Sequence, residues 1–148
     1  MSASTPARVL IVANRTAATP PLIEAVRARA ARGPCQFSLL VPQLAAEEVF
    51  GDEEARKTIE LAVPLLEEAA GGTVEALIGP SDAMRAVERT LVHQHFDEVI
   101  ISTLPERVSH WLKRDLPTRV ARLGLPVTEV RGRTPRRPIH DPIQIGGV

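Results

Sequence analysis

The sequence contains a single cysteine and no long apolar run, and both absences narrow what the chain can be. With Cys35 alone, a disulfide within the chain is excluded, and one cysteine is typical of a reducing compartment. The longest apolar run near the N-terminus, Val9 to Ala13, is too short for a signal sequence or a membrane span. We therefore expect a soluble cytoplasmic protein with no membrane contact.

An excess of charge of one sign is also lacking. Lys plus Arg and Asp plus Glu number 18 each in 148 residues, so no overall field would attract nucleic acid or an anionic membrane. The C-terminal segment is locally basic but has no interleaved aromatic residues, which argues against nucleic-acid binding. A chain of this length forms one domain by default.

The sequence motifs of common catalytic and nucleotide sites are missing as well. The chain has no Walker loop, no Gly-x-Gly-x-x-Gly after its first apolar run and no Gly-x-Ser-x-Gly elbow. Cys35 has no evident base partner, and no further ligand cluster accompanies His93 and His95 to form a metal site. We therefore expect no catalytic residue and no metal, and we favour a non-enzymatic role over an enzyme of unknown reaction.

Five short apolar runs alternate with segments of helical length, which is typical of a parallel sheet built from βαβ units. The runs are Val9–Ala13, Phe37–Val41, Val74–Ile78, Glu98–Ser102 and Pro126–Val130. The first and fourth are the most apolar and should be central, whereas Glu75 and Glu129 indicate edge strands. The pattern predicts a single-domain, doubly wound α/β fold with strand order 3-2-1-4-5 and helices on both faces.

Prolines and small polar residues predict the helix ends. Pro20 and Pro21 should start the first helix, and the second should run from about Asp52 to Ala70 with a kink at Pro64. Ser81 is the expected cap of the third helix, which His93 and His95 should close. After a domain of residues 1–130, the Pro- and Arg-rich segment 131–148 is expected to be an extended tail, ordered along an edge strand or disordered.

Polar residues follow the two central strands at the point where the winding of the sheet should reverse, the usual ligand site of such sheets. Asn14, Arg15 and Thr16 follow the first strand, and a second group ends or follows the fourth: Ser102, Thr103, Arg107 and Ser109. Two guanidinium groups with several hydroxyls could bind an anionic or polyhydroxyl ligand. The same residues could also be ordinary helix caps and solvated arginines.

Four segments together resemble the universal stress protein family in their order and spacing. They are Val9–Thr16, the turn Ile78–Ser81, Phe96–Thr103 and Leu125–Val130, and the resemblance covers about Arg8 to Val130. It implies a five-stranded α/β sheet and a homodimer, for which we expect contacts through the last strand, Pro126 to Val130, and the tail. It also adds Gly79 of the turn to the candidate ligand-binding residues.

In one branch of that family, the resemblance also implies ATP binding through Gly-x2-Gly-x9-Gly-Ser/Thr after the fourth strand. That pattern falls on Ser102, Pro105, Asp115 and Leu116, and none of the four matches. Pro105 has no N–H to donate to a phosphate, and the Asp115 carboxylate would compete with an anion for helix N–H groups. ATP or AMP is therefore disfavoured as a cofactor.

Two functions remain as hypotheses. The first is a non-enzymatic, dimeric protein similar to universal stress proteins, with a stress-related or regulatory role exerted through an unknown protein partner. The second is a nucleotide- or anion-binding regulator that uses Arg15, Arg107 and the loop hydroxyls in place of the family's glycines.

Overall fold

In the computed structural model of the protein, strands and helices alternate along the chain. The structure describes residues 5–13, 17–43, 48–103 and 116–131, and only the backbone of residues 48–52. The strands are β1 (Ala7–Val12), β2 (Cys35–Pro42), β3 (Val74–Gly79), β4 (Glu98–Thr103) and β5 (Val127–Arg131). The helices are α1 (Pro20–Ala31), α2 (Glu48–Ala70), α3 (Ala83–His93) and α4 (Leu116–Ala121).

The strands form one parallel sheet in the order β3-β2-β1-β4-β5. The predicted order is confirmed, with the most apolar strands inside and the strands that carry Glu75 and Glu129 at the edges. An inner strand of such a sheet is covered on both faces, so apolar side chains predominate there, whereas an edge strand tolerates charge.

Two apolar layers cover the sheet because successive side chains of a strand point to opposite faces. Val9 and Ile11 of β1 pack in the layer that contains α1 and α2, and Leu10 and Val12 pack with α3 and α4. All four side chains are fully buried. This alternation is why β1 reads as a continuous apolar run.

The helix boundaries agree with the prediction for α1 and differ for α2. Helix α1 begins at Pro20 as expected. Proline is favoured in a first turn because the N–H groups there have no partner within the helix, so the lack of an N–H costs no hydrogen bond. Helix α2 begins at Glu48 rather than at about Asp52. Pro64 lies inside α2, and the kink expected at that residue stays a prediction.

The expected cap of α3 was wrong by one residue. Asp82 caps the helix, and its Oδ1 accepts hydrogen bonds from the backbone N–H groups of Met84 (3.0 Å) and Arg85 (3.2 Å). Its backbone is extended, as the cap position requires, and its side chain reaches the second and third N–H groups of the helix. The helix ends at His93, so His95 lies beyond it.

Strand β5 ends at Arg131, one residue beyond the strand end predicted at Val130. Of the tail predicted for 131–148, residues 132–148 lie outside the described residues. Within the described ranges, no helix has both the length and the apolar character needed to span a membrane.

Candidate functional site at the carboxyl ends of the central strands

The predicted crevice lies where β1 and β4 end side by side. Val12 of β1 pairs with Ile101 of β4, and β1 pairs with β2 on its other side. The chain therefore winds in opposite directions from this point, as in other doubly wound sheets with a ligand crevice. Ala13 extends the end of β1 toward β2, because its N–H donates to the Leu40 carbonyl at 3.2 Å.

Ser102 and Thr103 form the end of β4, and both are 1% exposed. Since neighbouring residues of a strand alternate between faces, Ser102 lies on the α1–α2 side with Ile100 and Thr103 lies on the α3–α4 side with Ile101. The buried Thr103 Oγ1 has no hydrogen-bond partner among the described residues. The two hydroxyls thus do not act as one pair, and only that of Thr103 is unsatisfied within the described part of the chain.

Five of the eight predicted ligand-binding residues lie outside the described residues: Asn14, Arg15, Thr16, Arg107 and Ser109. Pro105 and Asp115, on which the argument against phosphate binding depends, also lie outside them. Their predicted roles stay predictions.

Four residues depart from the glycine pattern of the nucleotide-binding branch, and the structure describes two of them, Ser102 in β4 and Leu116 at the start of α4. Leu116 stands where the nucleotide-binding branch has Ser or Thr, and it is 2% exposed within the layer formed by α3 and α4. A side chain buried in that layer belongs to the core, and it carries no hydroxyl for a phosphate. The substitution therefore has a packing role at the start of α4.

Gly79 is the predicted site residue that the structure places away from the crevice. It ends β3, an edge strand separated from β4 by β2 and β1, which is a distance of about 14 Å at ordinary strand spacing. A Cβ atom at Gly79 would lie 2.7 Å from the Ala86 Cβ and 3.1 Å from Leu40 Cδ1. Glycine is therefore needed here for α3 to approach β2 and β3 closely.

The opposite, amino end of the sheet holds an ion pair that sequence reasoning missed. Both guanidinium nitrogens of Arg29 that face Glu98 donate to its carboxylate, at 3.0 and 2.9 Å, and the two side chains are only 12% and 20% exposed. These hydrogen bonds raise the pKa of Arg29. Cys35 lies close to the pair, and its partial burial raises the pKa of the thiol. No local pattern indicates a pair of residues that lie 69 positions apart.

Asp97 is a second polar centre at the amino end. Its Oδ2 accepts from the Arg8 N–H at 2.8 Å, and its Oδ1 lies 2.9 Å from His95 Nε2. The backbone hydrogen bond from Arg8 and the bond to His95 lower the pKa of Asp97. The Arg8 guanidinium donates to Gln94 Oε1 at 2.8 Å and lies 4.9 Å from the centre of the Phe96 ring. These contacts join β1 to the segment before β4.

Comparison with known proteins adds to this geometry. No family model and no curated protein matches the sequence. Among solved structures, a universal stress protein from Archaeoglobus fulgidus is similar with a TM-score of 0.59 and 13% identity, over 84% of this chain and 93% of that one. A universal stress protein in complex with cAMP has a TM-score of 0.51 and 17% identity, over 86% of this chain and 98% of that one.

Both similarities concern the fold, because the sequence identities are low. The five-stranded α/β sheet that the sequence resemblance implied is confirmed. The chain has the universal stress protein fold.

Proposed function

We propose that this chain is a divergent, non-enzymatic universal stress protein that forms a homodimer through β5 and has a stress-related or regulatory role. The shared fold supports the family assignment. The Leu116 side chain, buried where the nucleotide-binding branch has a hydroxyl, supports a protein that does not bind ATP in the manner of that branch. Such a protein would act through contacts with other proteins.

The observation that carries the proposal is the free edge of β5. The N–H of Val99 donates to the Pro126 carbonyl at 3.0 Å. Because alternate residues of a strand form the hydrogen bonds to one neighbouring strand, this bond shows which residues of β5 face β4. The N–H of Thr128 then faces β4, and that of Glu129 points away from the sheet. Among the described residues, no strand pairs with this outer edge. An unpaired edge is a template for strand pairing with a second copy.

Proline scanning of β5 tests the dimer. Glu129→Pro removes an outward N–H and leaves the bonds to β4, so we expect sedimentation to shift from a dimer to a species of 16.1 kDa. Glu129→Ala is the matched control that removes only the side chain, and it should stay dimeric. A wild-type protein that sediments only at 16.1 kDa at tens of micromolar would contradict the proposal.

A second candidate function is nucleotide or anion binding at the crevice through Arg15, Arg107 and the loop hydroxyls. Two observations favour it. The buried Thr103 hydroxyl has no partner among the described residues, so a ligand atom could supply one. One structure with the same fold is a complex with cAMP.

Calorimetric titration with ATP, AMP and cAMP separates the two functions. Under the first, none of the three binds with micromolar affinity. Pro105→Gly combined with Asp115→Gly then increases ATP affinity, because the first change restores an N–H donor and the second removes a competing carboxylate. Under the second, binding is micromolar and is lost in Arg15→Ala or Arg107→Ala. Arg27→Ala, on the exposed side of α1, is the control that should change nothing.

A further inference from the structure

A groove runs along α3 where that helix lies over β2 and β3. Its volume is about 570 Å³, and Leu40, Leu77 and Ala86 give it an apolar floor. Sites for small molecules in proteins have volumes of this order and combine apolar walls with a few polar groups. The groove lies at the β3 edge and is separate from the β1–β4 crevice.

A row of basic side chains follows one side of this groove. Arg85, Arg89 and His93 are spaced four residues apart, so they lie along a single stripe of α3. Arg89 and His93 line the groove. Arg85 lines a neighbouring hollow of about 290 Å³ that shares Arg89 and Pro80 with the groove. Neither Arg85 nor Arg89 forms an ion pair with any residue that the structure describes.

The described residues that line the groove include no acid. Glu75 lies on the same face of β3, but it accepts a hydrogen bond from Ser38 at 3.4 Å and does not line the groove. Glu88 lines only the neighbouring hollow. The groove therefore has an apolar floor and a positive rim, which complement a molecule with an apolar body and a negative head.

Two polar side chains at the His93 end of the groove keep groups available for a ligand. His93 Nδ1 lies 3.0 Å from the Arg89 carbonyl, which can only accept, so Nδ1 carries a hydrogen, and Nε2 makes no hydrogen bond to any described residue. Gln94 accepts from Arg8 through Oε1, which leaves its amide N–H groups as donors.

We propose that this groove binds a small amphipathic anion, with its apolar body on the partly exposed Leu77 and Pro80 and its carboxylate at Arg89. A small molecule is favoured over a peptide because the groove is of small-molecule size and a single arginine, Arg89, lines it. The inference concerns a different face from β5 and does not depend on the proposed dimer.

Titration of the labelled full chain with decanoate, below its critical micelle concentration, tests the proposal by NMR. We expect saturable amide shifts that cluster at Leu77, Gly79, Arg89, Thr90 and His93. Arg89→Ala should weaken the affinity about tenfold, since a hydrogen bond to a charged group contributes about 1.5 kcal/mol or more. Arg89→Lys should recover part of the loss because it restores the charge.

Two controls make the result specific. Arg122→Ala, just beyond α4 and also exposed, should leave decanoate affinity unchanged. Decyltrimethylammonium has the same chain with a cationic head and should not bind. A thermal melt of each variant should match wild type, because Arg89 is exposed and its removal leaves no buried charge.

Several outcomes would overturn the proposal. These are decanoate shifts that do not cluster at the groove, equal binding of the cationic amphiphile, or an affinity that Arg89→Ala leaves unchanged. Saturable shifts at the groove with an acidic peptide but none with decanoate would also overturn it, and would indicate a protein partner instead.

Discussion

The two ends of the sheet differ in how their polar groups are paired. At the amino end, Arg29 and Glu98 form a doubly hydrogen-bonded ion pair, and Asp97 binds both Arg8 and His95. At the carboxyl end, the buried Thr103 hydroxyl has no partner among the described residues. Buried polar groups of native proteins are normally paired, so an unpaired one needs an explanation.

The difference indicates separate roles for the two ends. Paired charges at the amino end connect α1 and β1 to the start of β4, and this pairing stabilises the fold. The carboxyl end is where sheets of this type bind ligands, and a buried hydroxyl with no partner among the described residues is suited to that role. Four predictions, from the largest expected effect to the smallest, test this contrast.

Removal of one partner of the amino-end ion pair should have the largest effect. We expect Arg29→Ala to lower the free energy of unfolding by about 3 kcal/mol, because it leaves the mostly buried Glu98 carboxylate unpaired. Urea denaturation measures the change. Arg27→Ala is the control on the same helix, and its exposed pair with Glu24 should contribute less than about 0.5 kcal/mol.

The double variant Arg29→Leu with Glu98→Leu sharpens that result. It should lie within about 1 kcal/mol of wild type, because no unpaired charge remains buried. A single variant as stable as wild type would show that the amino-end pair is not structural.

Substitution of Gly79 tests how closely the carboxyl end of the sheet is packed where α3 crosses β3. We expect Gly79→Ala to destabilise the protein by about 2 kcal/mol, because the added Cβ would lie 2.7 Å from Ala86 Cβ, which cannot rotate away. Gly72→Ala is the matched control, since a Cβ there meets nothing within 4 Å. Equal thermal stability of the two variants would contradict the packing role of Gly79.

The hydroxyl of Thr103 should be dispensable for stability. Thr103→Val keeps the shape of the side chain and removes the unpaired oxygen, so the free energy of unfolding should stay the same or rise by up to about 1 kcal/mol. Ser38→Ala, which removes a buried hydroxyl that donates to Glu75, should cost about 1 kcal/mol. A marked loss of stability in Thr103→Val would remove the contrast between the two ends.

The smallest effect concerns pH. The pKa of Asp97 is lower in the folded than in the unfolded chain, so its contribution to stability is full above the unfolded pKa and is lost as the pH falls below about 4. Asp97→Asn keeps an acceptor for the Arg8 N–H but cannot titrate. The difference in urea midpoint between wild type and variant should therefore be smaller at pH 3 than at pH 7. A constant difference would argue against a contribution of the Asp97 charge to stability.

The strand order was predictable because burial on two faces produces apolar runs, and edge strands carry charge. A run such as Val9–Ala13 indicates a strand buried on both faces from neighbouring residues alone. Pro20 indicates a helix start because proline fits the first turn of a helix. The cap of α3 was not predictable, because Ser81 and Asp82 are both good caps and the geometry of the turn selects Asp82.

For the candidate site, the pattern indicated one end of the sheet, which stays a prediction, but it did not indicate the surroundings of each residue. The elements that pack over Thr103 decide whether it is buried, and those that pack over Gly79 decide whether it faces a ligand or a helix. The Arg29–Glu98 pair joins residues 69 positions apart, and the groove along α3 needs two strands and a helix together. Periodicity along the chain carries the order of the elements, whereas contacts between distant residues arise only when those elements pack.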